Sequence, residues 1–449
     1  MKLIYNVQDR PKFGKLIVFA IQQLLAIMAA TLVVPTIIGY GMSSAAALFG
    51  AGVGTLVYLI FTKGKSPVFL GSSFAFIGSM FAAFGGAASV SLGYMGLIMG
   101  AAMAGLVYVI IALAVKFAGV NWLNKLMPPV VIGPTVAIIG LSLAGNAVGD
   151  LQKGGYSTVT AHPLVCVAVG LVTLAVTMIC ATYGKKMIRL IPFILGILAG
   201  YAVALGLTLI GNAADLDALK VVNYTHLTDL VSGGVDLRTF FSVPDFTLFR
   251  ALGAFDQVTL TYVSTVAVAY VPVAFVVFAE HVADHKNISS IIGQDLLEEP
   301  GLSNTLLGDG VGSMVGALFG GCPNTTYGES VACVAITGNA SVVTILTAAV
   351  MAMGIAFVNP FVAFVNSIPP CVMGGVCMAL YGFIAVSGLK MVQKVNLEQN
   401  KNLFVVSVIL ISGIGGLTLT FGQVTITAVA TALFLGILTN LMLNKANEE

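Results

Sequence analysis

Apolar runs of about twenty residues recur along the chain, divided by short breaks of glycine, proline or charge. A helical run of that length, rising about 1.5 Å per residue, crosses a hydrocarbon layer of about 30 Å. The pattern predicts spans near 16–34, 44–62, 68–83, 92–115, 128–147, 160–181 and 189–210. A polar stretch follows at 211–256, and spans resume near 259–282, 302–319, 322–337, 341–365, 370–389, 402–420 and 424–443. The third and tenth are too short and polar to be plain helices. The tenth holds GGCPNTTYGES, from Gly320 to Ser330. Irregular backbone and a carboxylate at membrane depth survive only where protein or a watery cavity surrounds them. Pro323–Gly328 therefore reads as the break in a discontinuous span, and Glu329 as a functional residue.

The two halves share a pattern. Pro128-Pro129-Val130-Val131-Ile132-Gly133 opens the fifth span and Pro369-Pro370-Cys371-Val372-Met373-Gly374 the twelfth, both reading PPxVxG. Gly71-Ser72-Ser73-Phe74 in the third matches Asn324-Thr325-Thr326-Tyr327 in the tenth: small hydroxyl residues, then an aromatic. Each pair lies seven spans apart, and an odd number turns the second copy over. The expected fold is an all-α polytopic membrane protein of about 14 segments in two inverted repeats. The first repeat covers 1–210, an outer loop 211–256, and the second repeat 257–449. Transporters of this design hold substrate at the midplane, between paired broken segments.

Composition agrees: 58% of the 449 residues are hydrophobic and 8% charged, against about a quarter charged in soluble domains. The formal net charge of +2, from scattered residues, gives no footprint for nucleic acid. Of the 20 Lys and Arg, 16 fall on one side if the N-terminus is inside, Lys2, Lys125, Lys186 and Lys445 among them. Lys153, Lys220, Arg238 and Arg250 fall on the other. That bias puts both termini in the cytoplasm. Gly312, Gly316 and Gly320 share one helix face at small-xxx-small spacing, as do Gly96 and Gly100, predicting close helix contacts. The six cysteines form no CxxC pair and read as apolar filler. No cofactor is expected.

Among the 18 acidic residues, only Glu280 and Glu329 are read as lying well within spans. Glu280 is read as ending an apolar helix, where it serves a proton relay or simply pins a neighbouring helix. In Glu280-His281-Val282-Ala283-Asp284-His285, the two acids share one helix face and the two histidines the adjacent one. A metal site is one reading, although four histidines in the whole chain supply few ligands. The reading preferred is a proton path from Glu280 to Asp284, with His285 at the cytoplasmic mouth. Around Glu329, a half-helix starting near Tyr327 would aim free N–H groups into the break. Such a site suits a small planar polar ligand, with Phe74 as aromatic wall or as plain core.

At PNTTYGE and Ala279-Glu280-His281 the chain resembles the nucleobase–ascorbate transporter family, in particular its uracil permeases. The resemblance runs through Ala20-Ile21-Gln22-Gln23, Thr31 to Pro35, Lys63-Gly64-Lys65, Leu70 to Phe76 and Leu380-Tyr381-Gly382. It implies a core domain (segments one to four and eight to eleven, about 15–117 and 257–366) and a gate domain (about 120–210 and 367–445). Short strands would lead into half-helices in segments three and ten, and the gate domain would form a homodimer. It implies import of uracil with protons across the cell membrane. Glu280 and Glu329 match positions that bind the base, Phe74 and Gly328 positions whose backbone amides meet it. Ala30 and Tyr327 match pocket-lining positions, and Tyr381 a gate residue facing the pocket. Two positions depart: Gln23 replaces a histidine, and Asp284 stands where some uracil permeases carry a histidine important for proton coupling. The rival readings are a xanthine or broader nucleobase carrier, a metalloenzyme built on Glu280, His281, Asp284 and His285, and an anion exchanger of similar fold.

Overall fold

In lipid every backbone polar group needs an internal partner, so the apolar runs fold as helices. The computed structural model describes residues 3–119, 127–156, 161–185, 187–421 and 424–443. Lys2, Lys125, Lys186 and Lys445 of the charge count lie outside the described residues. In chain order come α1 (Phe13–Ile38), α2 (Ser44–Phe61), α3 (Ile77–Gly85), α4 (Val90–Ala118), α5 (Pro129–Ser142), α6 (Pro163–Tyr183) and α7 (Pro192–Ala213). Then follow α8 (Leu260–Ile292), α9 (Leu302–Gly320), α10 (Gly328–Thr337), α11 (Val342–Ile355), α12 (Pro370–Val392), α13 (Asn400–Ile414) and α14 (Ala428–Met442). Starts follow local chemistry. Ser43, Ser89, Thr259 and Thr427 cap α2, α4, α8 and α14, while proline opens α5, α6, α7 and α12. Among the described residues, eight helices are long and apolar enough to cross a bilayer.

Boundaries differ from the sequence expectation at four places. The eighth span continues from 282 to Ile292, so Glu280 lies inside α8 rather than at its end. The eleventh breaks after Ile355 and restarts as Asn359–Ser367, where Pro360 suits a first turn but not a helix interior. The thirteenth stops at Ile414 beside Gly415 and Gly416, the latter at φ +71°. A hairpin of Leu419–Phe421 and Val424–Ile426 follows, so the last helix starts at Ala428 rather than 424. The polar stretch 211–256 carries short helices at Thr225–Ser232, Leu237–Phe240 and Thr247–Ala251.

Segments three and ten break as their composition predicts. β1 (Leu70–Ser72) leads through a turn at Phe74–Phe76 into α3, and β2 (Asn324–Thr326) leads into α10. The strands pair antiparallel, with Gly71 opposite Thr325. The glycine stripe of α9 lies on α2, as its spacing requires. A Cβ on Gly316 would stand 2.8 Å from the carbonyl of Gly50, and one on Gly312 2.7 Å from that of Gly54. Gly96 and Gly100 likewise admit Tyr262 and Tyr270 of α8. Helices α1, α2, α4, α8, α9 and α11 pack on one another, as do α5, α6, α7, α12, α13 and α14. The two bundles meet along α8, where Val276 enters a cluster with Val131 and Ile409.

Candidate functional site

The break is irregular, and hydrogen bonds from its buried backbone tie it to its neighbours. The Asn324 N–H donates to Ser313 Oγ (3.0 Å) and its Nδ2 to the carbonyl of Gly50 (3.0 Å). Ser73 N–H donates to the carbonyl of Pro323 (2.9 Å). The Tyr327 hydroxyl donates to the carbonyl of Ser72 (2.6 Å). Gly71 permits this crossing, because a Cβ there would meet the Tyr327 ring at 2.4 Å. Ser330 Oγ accepts from the Phe69 N–H (3.0 Å) and from Gln23 Nε2. The departure at Gln23 thus ties α1 to the half-helix.

These elements wall a cavity of about 430 Å³. Phe74, Tyr327, Gly328 and Glu329 come from the broken segments, and Glu280 and Asp284 from α8. Phe193 of α7 and Leu380 and Ile384 of α12 form the opposite wall, with Arg189 at the end where α7 begins. Glu329 is the second residue of α10, beside a helix N-terminus whose first N–H groups have no partner in the helix. Thr326 Oγ1 donates to Asp284 Oδ2 at 2.9 Å, joining β2 to α8. The cavity therefore offers carboxylate acceptors, backbone donors and aromatic faces within one wall.

Six of the residues singled out in the sequence converge here: Phe74, Glu280, Asp284, Tyr327, Gly328 and Glu329. Three do not line the cavity. Ala30 is fully buried in a cluster with Leu70 and Tyr327, one helical turn beyond Ala26, which does line it. Tyr381 is buried and sets its ring edge-on to Phe74, 6.2 Å between centroids. His285, expected at the mouth, is 0% exposed. Its Nδ1 donates to the carbonyl of His281 (2.8 Å), and its Nε2 faces the Tyr58 hydroxyl at 2.6 Å.

The four candidate metal ligands diverge. Glu280 and Asp284 face the cavity, whereas His281 turns Nδ1 to Asp309 Oδ2 (2.6 Å) and Nε2 to Thr305 Oγ1 (3.0 Å). All four imidazole nitrogens of His281 and His285 are engaged elsewhere. Among the described residues no group of three His, Cys, Asp or Glu side chains is placed to hold a metal ion.

Asp309 was missed in the sequence. It lies inside the ninth predicted span and is 0% exposed, so Glu280 and Glu329 are not the only acids at membrane depth. The signal was available: a carboxylate in an apolar run, flanked by Gly308 and Gly310.

The xanthine/uracil permease family model, described as a permease family, matches residues 14–421. The chain is 38% identical to the uracil permease of Bacillus caldolyticus, over 98% of this chain and 95% of that one. It is 38% identical to the uracil permease of Bacillus subtilis (100% and 97%) and 33% identical to that of Escherichia coli K12 (96% and 92%). Among solved structures, the transmembrane domain of a cyanobacterium bicarbonate transporter, BicA, superposes with a TM-score of 0.64 at 14% identity, covering 97% of this chain and 100% of that one. A murine Solute Carrier 26 family anion transporter in the inward-facing state gives 0.68 at 11% identity, with 98% and 70% covered. The structural likeness is one of fold, while the sequence match is continuous through both broken segments: the chain belongs to the xanthine/uracil permeases of the nucleobase–ascorbate family and is a transporter, not an enzyme.

Proposed function

We propose that the protein imports uracil with protons, by moving a core bundle against a gate bundle around the cavity. The observation that carries this reading is the meeting of Glu329 and the N-terminus of α10 with Phe74 and Glu280 in one cavity. Uracil is planar, with ring N–H groups that a carboxylate accepts and carbonyls that backbone amides satisfy. Glu329 reads the N–H edge, and the amides of Phe74 and Gly328 meet the carbonyls. Glu280 binds the base and exchanges the coupled proton, with Asp284 beside it. Names carried by relatives at 33–38% identity support the choice of substrate.

The packing of α1, α2, α4, α8, α9 and α11 apart from α5, α6, α7, α12, α13 and α14 supports the division into core and gate. The antiparallel pairing of β1 and β2 supports the inverted relation of the two broken segments, and the reading is completed by 14 segments, both termini in the cytoplasm and a homodimer through the gate. The test is uracil uptake into proteoliposomes with and without an inward proton gradient, xanthine being the competitor. Gradient-driven uptake that xanthine leaves unchanged is expected. Uptake abolished by xanthine would reassign the protein as a broader nucleobase carrier.

A further inference from the structure

We propose that His281 and Asp309 form a proton-dependent pin that holds α8 against α9 and so presents Glu280 and Asp284 to the cavity. Both side chains are 0% exposed, and neither lines the cavity. The proton count follows from the bonds. Thr305 has one hydroxyl proton, which it donates to the carbonyl of Leu302 (3.1 Å). With that proton given to Leu302, Thr305 accepts toward His281, and in the proposed arrangement Nε2 carries a hydrogen and donates across the 3.0 Å contact. The 2.6 Å contact between Nδ1 and Asp309 Oδ2 requires another hydrogen between the two atoms. The pair therefore holds two protons and is neutral overall.

Removing one proton leaves a net negative charge away from water and breaks one of the two contacts His281 makes with α9. The glycines on either side of Asp309 are closely packed. A Cβ on Gly308 would stand 3.0 Å from the Tyr58 ring, and one on Gly310 2.8 Å from Tyr108 Cβ. The titratable groups around the pair are Glu280, Asp284 and His285 of α8, Tyr58 of α2 and Tyr108 of α4. None of these is a lysine or arginine. His281 directly follows Glu280, so the pin fixes the rotation of α8 that aims both carboxylates at the cavity. His281 and Asp309 act as positioning residues.

The test is the melting temperature of the purified, ligand-free protein across neutral to alkaline pH. Stability held by the loaded pair is present at low pH and lost as pH rises. In Asp309→Asn the amide N–H donates to Nδ1 of a neutral His281, making every contact without an ionisable proton. In Thr305→Val, Nε2 no longer needs a hydrogen, so one proton keeps the Asp309 contact. A wild-type curve falling by several degrees is expected, with the fall abolished in Asp309→Asn and reduced in Thr305→Val. Variants that follow the wild-type curve would overturn the pin, and Thr305→Val alone decides if Asp309→Asn does not fold.

The substrate arm rests on the reading above: uracil binding followed over the same pH range should lose less affinity at alkaline pH in both variants. Altered melting curves in a protein that binds no uracil would keep the pin and reject the substrate. Uracil binding with coincident curves would do the reverse.

Discussion

At the scale of single residues, the site depends on a few acceptors and donors that nothing else replaces. Glu329→Gln exchanges a charged acceptor for a neutral one. Hydrogen bonds to charged groups contribute about 1.5–3 kcal/mol, so uracil binding in detergent should weaken by about 10- to 100-fold; unchanged affinity would remove Glu329 from the site. Glu280→Gln should keep uracil exchange measurable while abolishing accumulation against a gradient, and normal accumulation would reject its part in coupling. Tyr327→Phe strands the buried carbonyl of Ser72. Leaving such a group unsatisfied costs about 1–3 kcal/mol, to be read as a lowered melting temperature.

At the scale of elements, the glycine stripe decides how near α9 lies to α2 and therefore where the break sits. A Cβ at Gly316 would approach Asn324 Nδ2 to 2.0 Å, pushing away the side chain that anchors β2 to Gly50. Overpacking of this kind costs about 1–3 kcal/mol. Gly316→Ala should lower both melting temperature and uracil affinity, whereas Gly78→Ala, with nothing within 4 Å, should change neither stability nor binding through contact. The loops after α2 and α8 are tied by the Lys65–Glu299 ion pair. The Lys65 ammonium holds the Glu299 carboxyl below its ordinary range. Its contribution is present above that range and fades as pH falls through the lowered value. Both side chains are exposed, so salt screens the pair and Lys65→Ala should leave melting at high salt unchanged.

At the scale of the whole molecule, the cavity runs toward the end where α6 and α12 finish and α7 begins, with Arg189, Ser387 and Met391 on its wall. In the orientation proposed above, with the termini inside, that end is cytoplasmic. Ser387→Cys, with Cys180 and Cys333 replaced, should react with a membrane-impermeant maleimide in inside-out vesicles and be protected by uracil. Labelling only in right-side-out vesicles would invert the orientation.

The order of apolar runs, the broken third and tenth segments and the candidacy of Glu280 and Glu329, which both line the cavity, were legible in the sequence. Hydrophobic length and the cost of a carboxylate in lipid are local properties, readable one stretch at a time. Helical periodicity also showed that Glu280 and Asp284 share a face and that His281 and His285 share the next. It could not say what each face meets. Packing turned the acids to the cavity and the histidines to Asp309, Thr305 and Tyr58, which ended the metal reading and moved His285 from the mouth to the interior. It likewise put Ala26 rather than Ala30 on the cavity wall and joined Gly71 to Thr325. Those pairings span up to several hundred residues of chain, so only the assembled helices, each limited by how closely its small residues let a neighbour approach, decide them.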